Sequence, residues 1–434
     1  MRPAVRTITG RVSLTWLATR LVALASIALT HRLLDDVWIY EGWLRTLTNR
    51  DFPLYDPKWQ YPPGAGALLL APSALGARYG IAFVSLMVLI DATVMALLIG
   101  ARLRSPGTSW RGPWLWAAAA LVVGPIMFTR FDVVPTLVAV TAILSVSRPA
   151  RSGALAALGM FVKVWPALLI LVLPRPSLRR GLTSFLITTG ALLAGFLIVF
   201  QNAFSFLHNQ QARGLQVESV GAIPWLLSKA TGHVVDIRLE YGSMQVHMAG
   251  AEAVGTAVTV LGVVLIAVIA TWRLTGKLES IPAGDVGVAV VLVSVASSRV
   301  YSPQFNTWII GVLAAALLAS GSAMRRPAII LIAVSMLTQL VYPWNPSALV
   351  DGNPLIVVVQ FARVSGLLAA TIMAVWAISP ARTRKRSERS VTSRAPSAQR
   401  PERDSRGGGD IQGVDATVHG DAHNDIRLLQ DASR

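Results

Sequence analysis

HRLLDDVWIYEGWLRTLTNRDFPLYDPKWQYPPGAG, residues 31–66, is the most polar and aromatic stretch in the first three hundred residues, and long apolar runs flank it. Asp35 and Asp36 follow the first run by about a turn, where a membrane helix surfaces into the headgroup region. Counting from Asp36, Tyr40, Trp43 and Leu47 recur at i+4, i+7 and i+11, so they share one helical face. Trp and Tyr settle at membrane–water boundaries, which predicts a short helix lying along the surface. Pro53, Pro57, Pro62 and Pro63 then end that helix and force a turned, extended path. Two readings of the loop stand together. It holds a carboxylate at the membrane surface for a reaction, or it is an ordinary interfacial loop with aromatic anchors.

The rest of the chain decides the class. Its 434 residues are 53% hydrophobic and 14% charged. Apolar runs of roughly 18–25 residues recur, the length needed to cross a bilayer. The sequence predicts an all-α polytopic membrane protein. The first run is expected to stay in the mature chain, since further spans follow and no small-residue cleavage site closes it. The net charge of +17 does not require nucleic acid, because the basic residues lie mainly between spans and in the tail, as the positive-inside rule explains. There are no cysteines, which excludes disulfides and cysteine-ligated metals.

In order, Arg2, Arg6 and Arg11 precede a first span near 13–33 and place the N-terminus inside, so the loop 31–66 is expected outside. GAGALLLAPSALG, 64–76, is too short to cross and reads as juxtamembrane or re-entrant. Further spans are expected near 80–101, 113–128, 131–147, 182–200, 250–272, 281–298, 303–320, 327–343 and 354–378. Residues 153–174 would carry Arg residues to both ends as one helix, and Lys163 and Pro166 interrupt them. Two half-helices meeting inside the protein fit better. The total is about twelve membrane helices, with both termini cytoplasmic and 201–247 and 343–353 outside as well. Residues 1–380 form the membrane domain. Residues 381–434 read as a basic, disordered cytoplasmic tail able to lie against anionic lipid.

Charges within or beside spans are costly and seldom idle. Asp91 either lines a cavity or pairs with a cation. Lys163 sits at the half-helix break, facing inward. Arg130, Arg299 and Arg363 lie near the outer boundary, suited to bidentate phosphate contact or to snorkelling. Several outer cations beside an acidic loop suggest a negatively charged lipid substrate. Phosphate-cradling glycine loops, HExxH and GxSxG are missing, and the histidines show no metal-ligand spacing, so neither cofactor nor metal is expected.

The order DVWIYEGW (36–43), PLYD (53–56), YPPG (61–64), RFDVVP (130–135), FVKVWPALLILVLP (161–174), RGLQVESV (213–220) and SPQFNTWII (302–310) resembles glycosyltransferase family 87. These are GT-C enzymes that include polyprenyl-phosphate-mannose-dependent mannosyltransferases of actinobacterial type. ARVSG at 362–366 departs from the pattern, which has an Arg-Asn pair there. The resemblance implies a GT-C-like bundle with a juxtamembrane helix in the first outer loop. It implies a polyprenyl-phosphate-sugar donor, the sugar being mannose by analogy with relatives, and a glycolipid or glycan acceptor at the outer face. It implies inversion, with an outer-loop carboxylate as general base. Asp36 matches the base position because Tyr40 follows by four, and Asp35 is the fallback. Asp35, Tyr40, Trp43, Tyr61, Arg130, Lys163, Gln216, Glu218, Arg299 and Gln304 are the expected substrate-binding residues. The other classes weighed are a secondary transporter, for which no matching halves are visible, and a non-catalytic scaffold or lipid flippase of the cell envelope.

Overall fold

The computed structural model describes residues 3–382. The expected tail lies outside the described residues from 383 onward. With water absent, an apolar chain satisfies its backbone polar groups only by pairing them internally, and this one does so as helix. The first half holds α1 (Pro3–Leu29), α2 (Asp35–Gly42), α3 (Leu44–Thr48), α4 (Pro63–Leu70) and α5 (Tyr79–Arg104). It continues with α6 (Arg111–Val123), α7 (Ile126–Thr129), α8 (Val133–Leu144), α9 (Pro149–Val162) and α10 (Arg175–Val199). Segment 201–250 carries α11 (Phe206–Gln211), α12 (Ile223–Ala230) and strands β1 (Leu215–Gln216), β2 (Ile237–Glu240) and β3 (Ser243–Val246). The chain closes with α13 (Ala251–Leu274), α14 (Ala283–Ala296), α15 (Phe305–Ala316), α16 (Arg325–Val341), α17 (Pro346–Val350) and α18 (Pro354–Ile378).

Among the described residues, α1, α5, α10, α13 and α18 are long and apolar enough to cross a membrane, which makes the chain a polytopic helical membrane protein. Other expected crossings fall on shorter helices, α8 and α15 having 12 residues each. Twelve residues reach only about 18 Å at 1.5 Å each. These short helices form the centre: every residue of α15 from Asn306 to Ala316 is buried. α6 stops at Gly124, whose φ of +87° turns the chain. Gln339 caps it there, donating to the Leu121 and Val122 carbonyls at 2.7 and 2.9 Å.

Two expectations are corrected. The fold is not wholly α: β1, β3 and β2 pair antiparallel in that order. Tyr241 and Gly242, with φ of 51° and 71°, make the β2–β3 turn, the left-handed pair a two-residue hairpin requires. The second correction concerns the aromatic face. The helix expected after Asp36 forms as α2 and α3, but Tyr40, Trp43 and Leu47 are buried, and it is Trp38, off that face, that is exposed. Tyr40 packs on Phe83 and Phe131 at centroid distances of 5.5 and 5.7 Å, and Trp43 meets Trp59 at 5.0 Å. The rings that suggested a lipid-facing anchor build the wall of an internal cluster.

Asp91 is resolved in favour of pairing. It is fully buried and receives Arg20 through Nε and Nη2 at 2.9 and 2.8 Å, with Trp16 Nε1 at 2.7 Å. The break expected in 153–174 is present. α9 ends at Val162, Lys163 is extended (φ −149°, ψ 139°), and a tight 3-10 turn covers Trp165–Val172. Pro166, lacking an N–H, cannot continue the helix. It packs instead against Gly159, where an added Cβ would lie 2.7 Å from the proline Cβ.

Candidate active site

A cavity of about 760 Å³ opens where α2, the end of α9, the 3-10 turn, the β2–β3 hairpin, the start of α15 and the end of α16 converge. Asp36, Tyr40, Trp43, Tyr61, Arg130, Lys163, Gln216, Glu218 and Gln304 line it. Residues named from stretches far apart in sequence therefore meet in one chamber.

The first outer loop supplies one wall. Asp56 of PLYD accepts from Trp43 Nε1 at 2.7 Å, and Asn209 ties α11 to the Asp56 and Trp59 carbonyls at 3.1 and 2.9 Å. YPPG supplies a joint. A Cβ on Gly64 would lie 2.6 Å from the Phe161 carbonyl oxygen, so only glycine lets α4 approach the end of α9. Lys163 projects two residues beyond that contact.

Arg130 follows α7 in extended conformation (φ −127°, ψ 152°). Its guanidinium pairs with the Asp36 carboxylate and hydrogen-bonds Tyr342, while its Nε is buried and, among the described residues, without a partner. Burial raises the Asp36 carboxyl above its usual range. Arg130 opposes that rise, and the nearby charges of Asp35 and Asp132 add to it. Such a carboxylate holds a proton more readily than one in water, the tuning a general base uses. Lys163 meets Asp132 at 3.1 Å, and Trp308 Nε1 donates to the same Asp132 oxygen at 2.8 Å. Its ammonium stands 5.0 Å from both the Tyr61 and Phe131 rings and 5.3 Å from Trp308, a cation held by aromatic faces.

Glu218 is the second cavity carboxylate. Its Oε2 accepts from Arg363 Nη1 at 2.6 Å. Arg363 also donates to Thr338 at 2.9 Å, Gln360 at 2.9 Å and the Tyr301 carbonyl at 3.1 Å, and its guanidinium lies 4.0 Å over the Tyr301 ring. Arg363 is fully buried, so it does not snorkel to lipid; it fixes Glu218 from behind. Burial raises the Glu218 carboxyl, against the pull of Arg363. Gln216 Oε1 accepts from the Tyr301 N–H at 3.0 Å. Tyr40 Oη and Gln304 Oε1 are buried and, among the described residues, have no hydrogen-bond partner, so the cavity wall holds unpaired polar atoms.

Two expected residues are not in this chamber. Arg299 is engaged on α13, donating to Thr256 at 2.7 Å and pairing with Glu252 at 3.4 Å. Gly255 leaves room for its stem, with an added Cβ 3.3 Å from Nε. Asp35 is exposed and does not line the cavity, as its position about 100° round the helix from Asp36 requires. Asp132, read from the sequence as a rim charge that pairs with its surroundings, does so with Lys163 and Trp308. Sequence reasoning passed over Arg213, Gln60 and Tyr342; Arg213 opens the RGLQVESV block and was within reach. Nothing local marks Gln60 or Tyr342.

The fold and this chamber define a polytopic helical membrane protein with a charged cavity at one end of its buried helices. Residues 59–298 match the family model of glycosyltransferase family 87, and the chain belongs to that family. It is accordingly a membrane glycosyltransferase. Among curated proteins and among solved structures, nothing matches it.

Proposed function

We propose that the protein moves a sugar, mannose by its family resemblance, from a polyprenyl-phosphate donor to a glycolipid or glycan acceptor at the outer face of the cell membrane. Inversion by single displacement is the mechanism, with Asp36 as general base. The observation that carries this reading is the meeting of Asp36, Arg130 and Lys163 in one chamber. A carboxylate there can take the acceptor's proton as its oxygen attacks C1, and cations beside it can hold the phosphate that leaves. Tyr40, Trp43, Tyr61, Gln216, Glu218 and Gln304 offer rings and polar groups to the sugars. Asp35, which is exposed, and Arg299, engaged on α13, have no direct part. The basic turns lie at the far ends of the helices that reach the cavity: α9 begins beside Arg148 and Arg151, and α16 begins at Arg325 and Arg326. That polarity supports a cytoplasmic far end and an outward cavity. The test is transfer of radiolabelled mannose from polyprenyl-phosphate-mannose by purified protein. No transfer from this donor, or from glucose- and arabinose-bearing counterparts, would refute the reading.

A further inference from the structure

Carboxylates account for three of the cations at or behind the cavity: Asp36 for Arg130, Asp132 for Lys163 and Glu218 for Arg363. Arg213 has no such partner among the described residues. Its terminal nitrogens donate to two neutral oxygens, Gln60 Oε1 and, at 3.1 Å, Ser243 Oγ. Its Nε is buried and unpartnered among the described residues, and the side chain lines the cavity. Burial pulls its pKa down to about 10; Tyr61 opposes this, while the repelling charge of Arg130 adds to it.

A half-buried guanidinium without a counter-charge is costly. Two guanidiniums that repel each other across a chamber gain most from an anion placed between them. The planar fork of arginine suits phosphate oxygens. Tying Gln60 to Ser243 would not by itself need a charge, since a neutral amide offers the same donors.

We propose that Arg213 is a phosphate-binding residue of the cavity, whose lining it shares with Arg130: it receives the phosphate of the lipid-linked donor. This rests on the glycosyl-transfer reading above. In the reaction the C1–O bond to phosphate breaks and both electrons stay on the phosphate oxygen. The acceptor oxygen bonds to C1 and its proton passes to Asp36. The phosphate changes from a singly charged diester to a monoester carrying a further negative charge, and Arg213 stabilises that gain.

The experiment uses full-length protein in detergent and titrates a short-chain prenyl phosphate, the matching uncharged prenol and inorganic phosphate at low and high salt. Arg213→Gln should weaken prenyl phosphate binding about ten- to a hundredfold and flatten its salt dependence. Prenol binding should not change. Arg213→Lys should fall between. Ser243→Ala removes one arm of the clasp but keeps the charge, and should bind as the parent does. Equal losses in Ser243→Ala and Arg213→Gln would reduce Arg213 to a structural clasp and overturn the proposal. Inorganic phosphate binding as tightly as prenyl phosphate would mark a free-phosphate site and overturn it too. Sugar transfer is measured alongside. Parent-like transfer and binding in Arg213→Gln would sink this inference alone, whereas an inactive parent that still binds prenyl phosphate through Arg213 would sink the glycosyl-transfer reading alone.

Discussion

Asp35 and Asp36 are adjacent in sequence but differ in environment. Asp36 faces the cavity with 19% of its side chain exposed and Arg130 against it, whereas Asp35 points to solvent. Asp36→Asn keeps the size and removes the basic lone pair. It should lower turnover by about 10²–10⁴-fold with donor binding intact, while Asp35→Asn costs far less. Near-normal turnover in Asp36→Asn would end the assignment. The pH profile carries an independent sign. The base must be unprotonated, so kcat/KM should rise with pH through a midpoint above the ordinary carboxylate range, because burial raises the Asp36 carboxyl. Arg130 is the influence that lowers it, so Arg130→Gln should move the midpoint higher still. A midpoint that fell would show that the two groups do not face each other during turnover. Arg363 is expected to act on stability. Arg363→Met leaves Glu218 buried without its counter-charge, and breaking such a pair costs roughly 3–5 kcal/mol. Thermal unfolding should show a loss of that order, and adding Glu218→Gln should recover part of it.

At the scale of elements, the end of α9 is the part on which most of the cavity hangs. Gly64 lets α4 press on the Phe161 carbonyl just before Lys163 leaves the helix. Gly64→Ala should push that joint apart, costing about 1–3 kcal/mol as overpacking does, and should raise the KM for donor. Gly42, where an added Cβ meets nothing within 4 Å, is the control, and Gly42→Ala should be neutral or mildly stabilising. Identical behaviour of the two variants would show that the α4–α9 contact does not position Lys163. This joint also shows how far the sequence can be read. A lysine and a proline inside an apolar run announce a break because each is costly there, and the break lies where those costs put it. Apolar runs likewise announced the helices. The direction in which a polar side chain turns is set by packing between distant segments. Arg299 looked like a phosphate ligand until Gly255 was seen to open a groove for it on α13. The β2–β3 hairpin escaped because four-residue strands are too short for alternation to show. The Tyr–Trp face was legible as a face, but not which side it would turn to, since aromatic rings suit a bilayer boundary and a buried cluster equally well.

On the scale of the whole molecule, the helices that matter share a polarity. α9 and α16 begin among arginines and end at the cavity, and α15 begins at the cavity with Phe305 and Trp308. Around them, α10 and α13 expose apolar side chains such as Ile187, Ile198, Leu261 and Val263, as helices facing lipid do. The 12-residue helices α8 and α15 lie inside, where neighbours rather than lipid satisfy the chain ends and a charged chamber can persist within an apolar protein. This polarity makes the sidedness of the membrane a statement about the active site. If the basic turns are cytoplasmic, the whole cavity faces outward. Thr48, exposed at the end of α3, lies on the cavity side, while Ser105, exposed at the turn after α5 beside Arg102 and Arg104, lies on the other. The chain has no native cysteine, so single cysteines report cleanly. In intact cells Thr48→Cys should react with a membrane-impermeant maleimide and Ser105→Cys should react only after permeabilisation. The opposite pattern would turn the cavity toward the cytoplasm, where a lipid-linked donor presented at the outer leaflet could not reach Asp36.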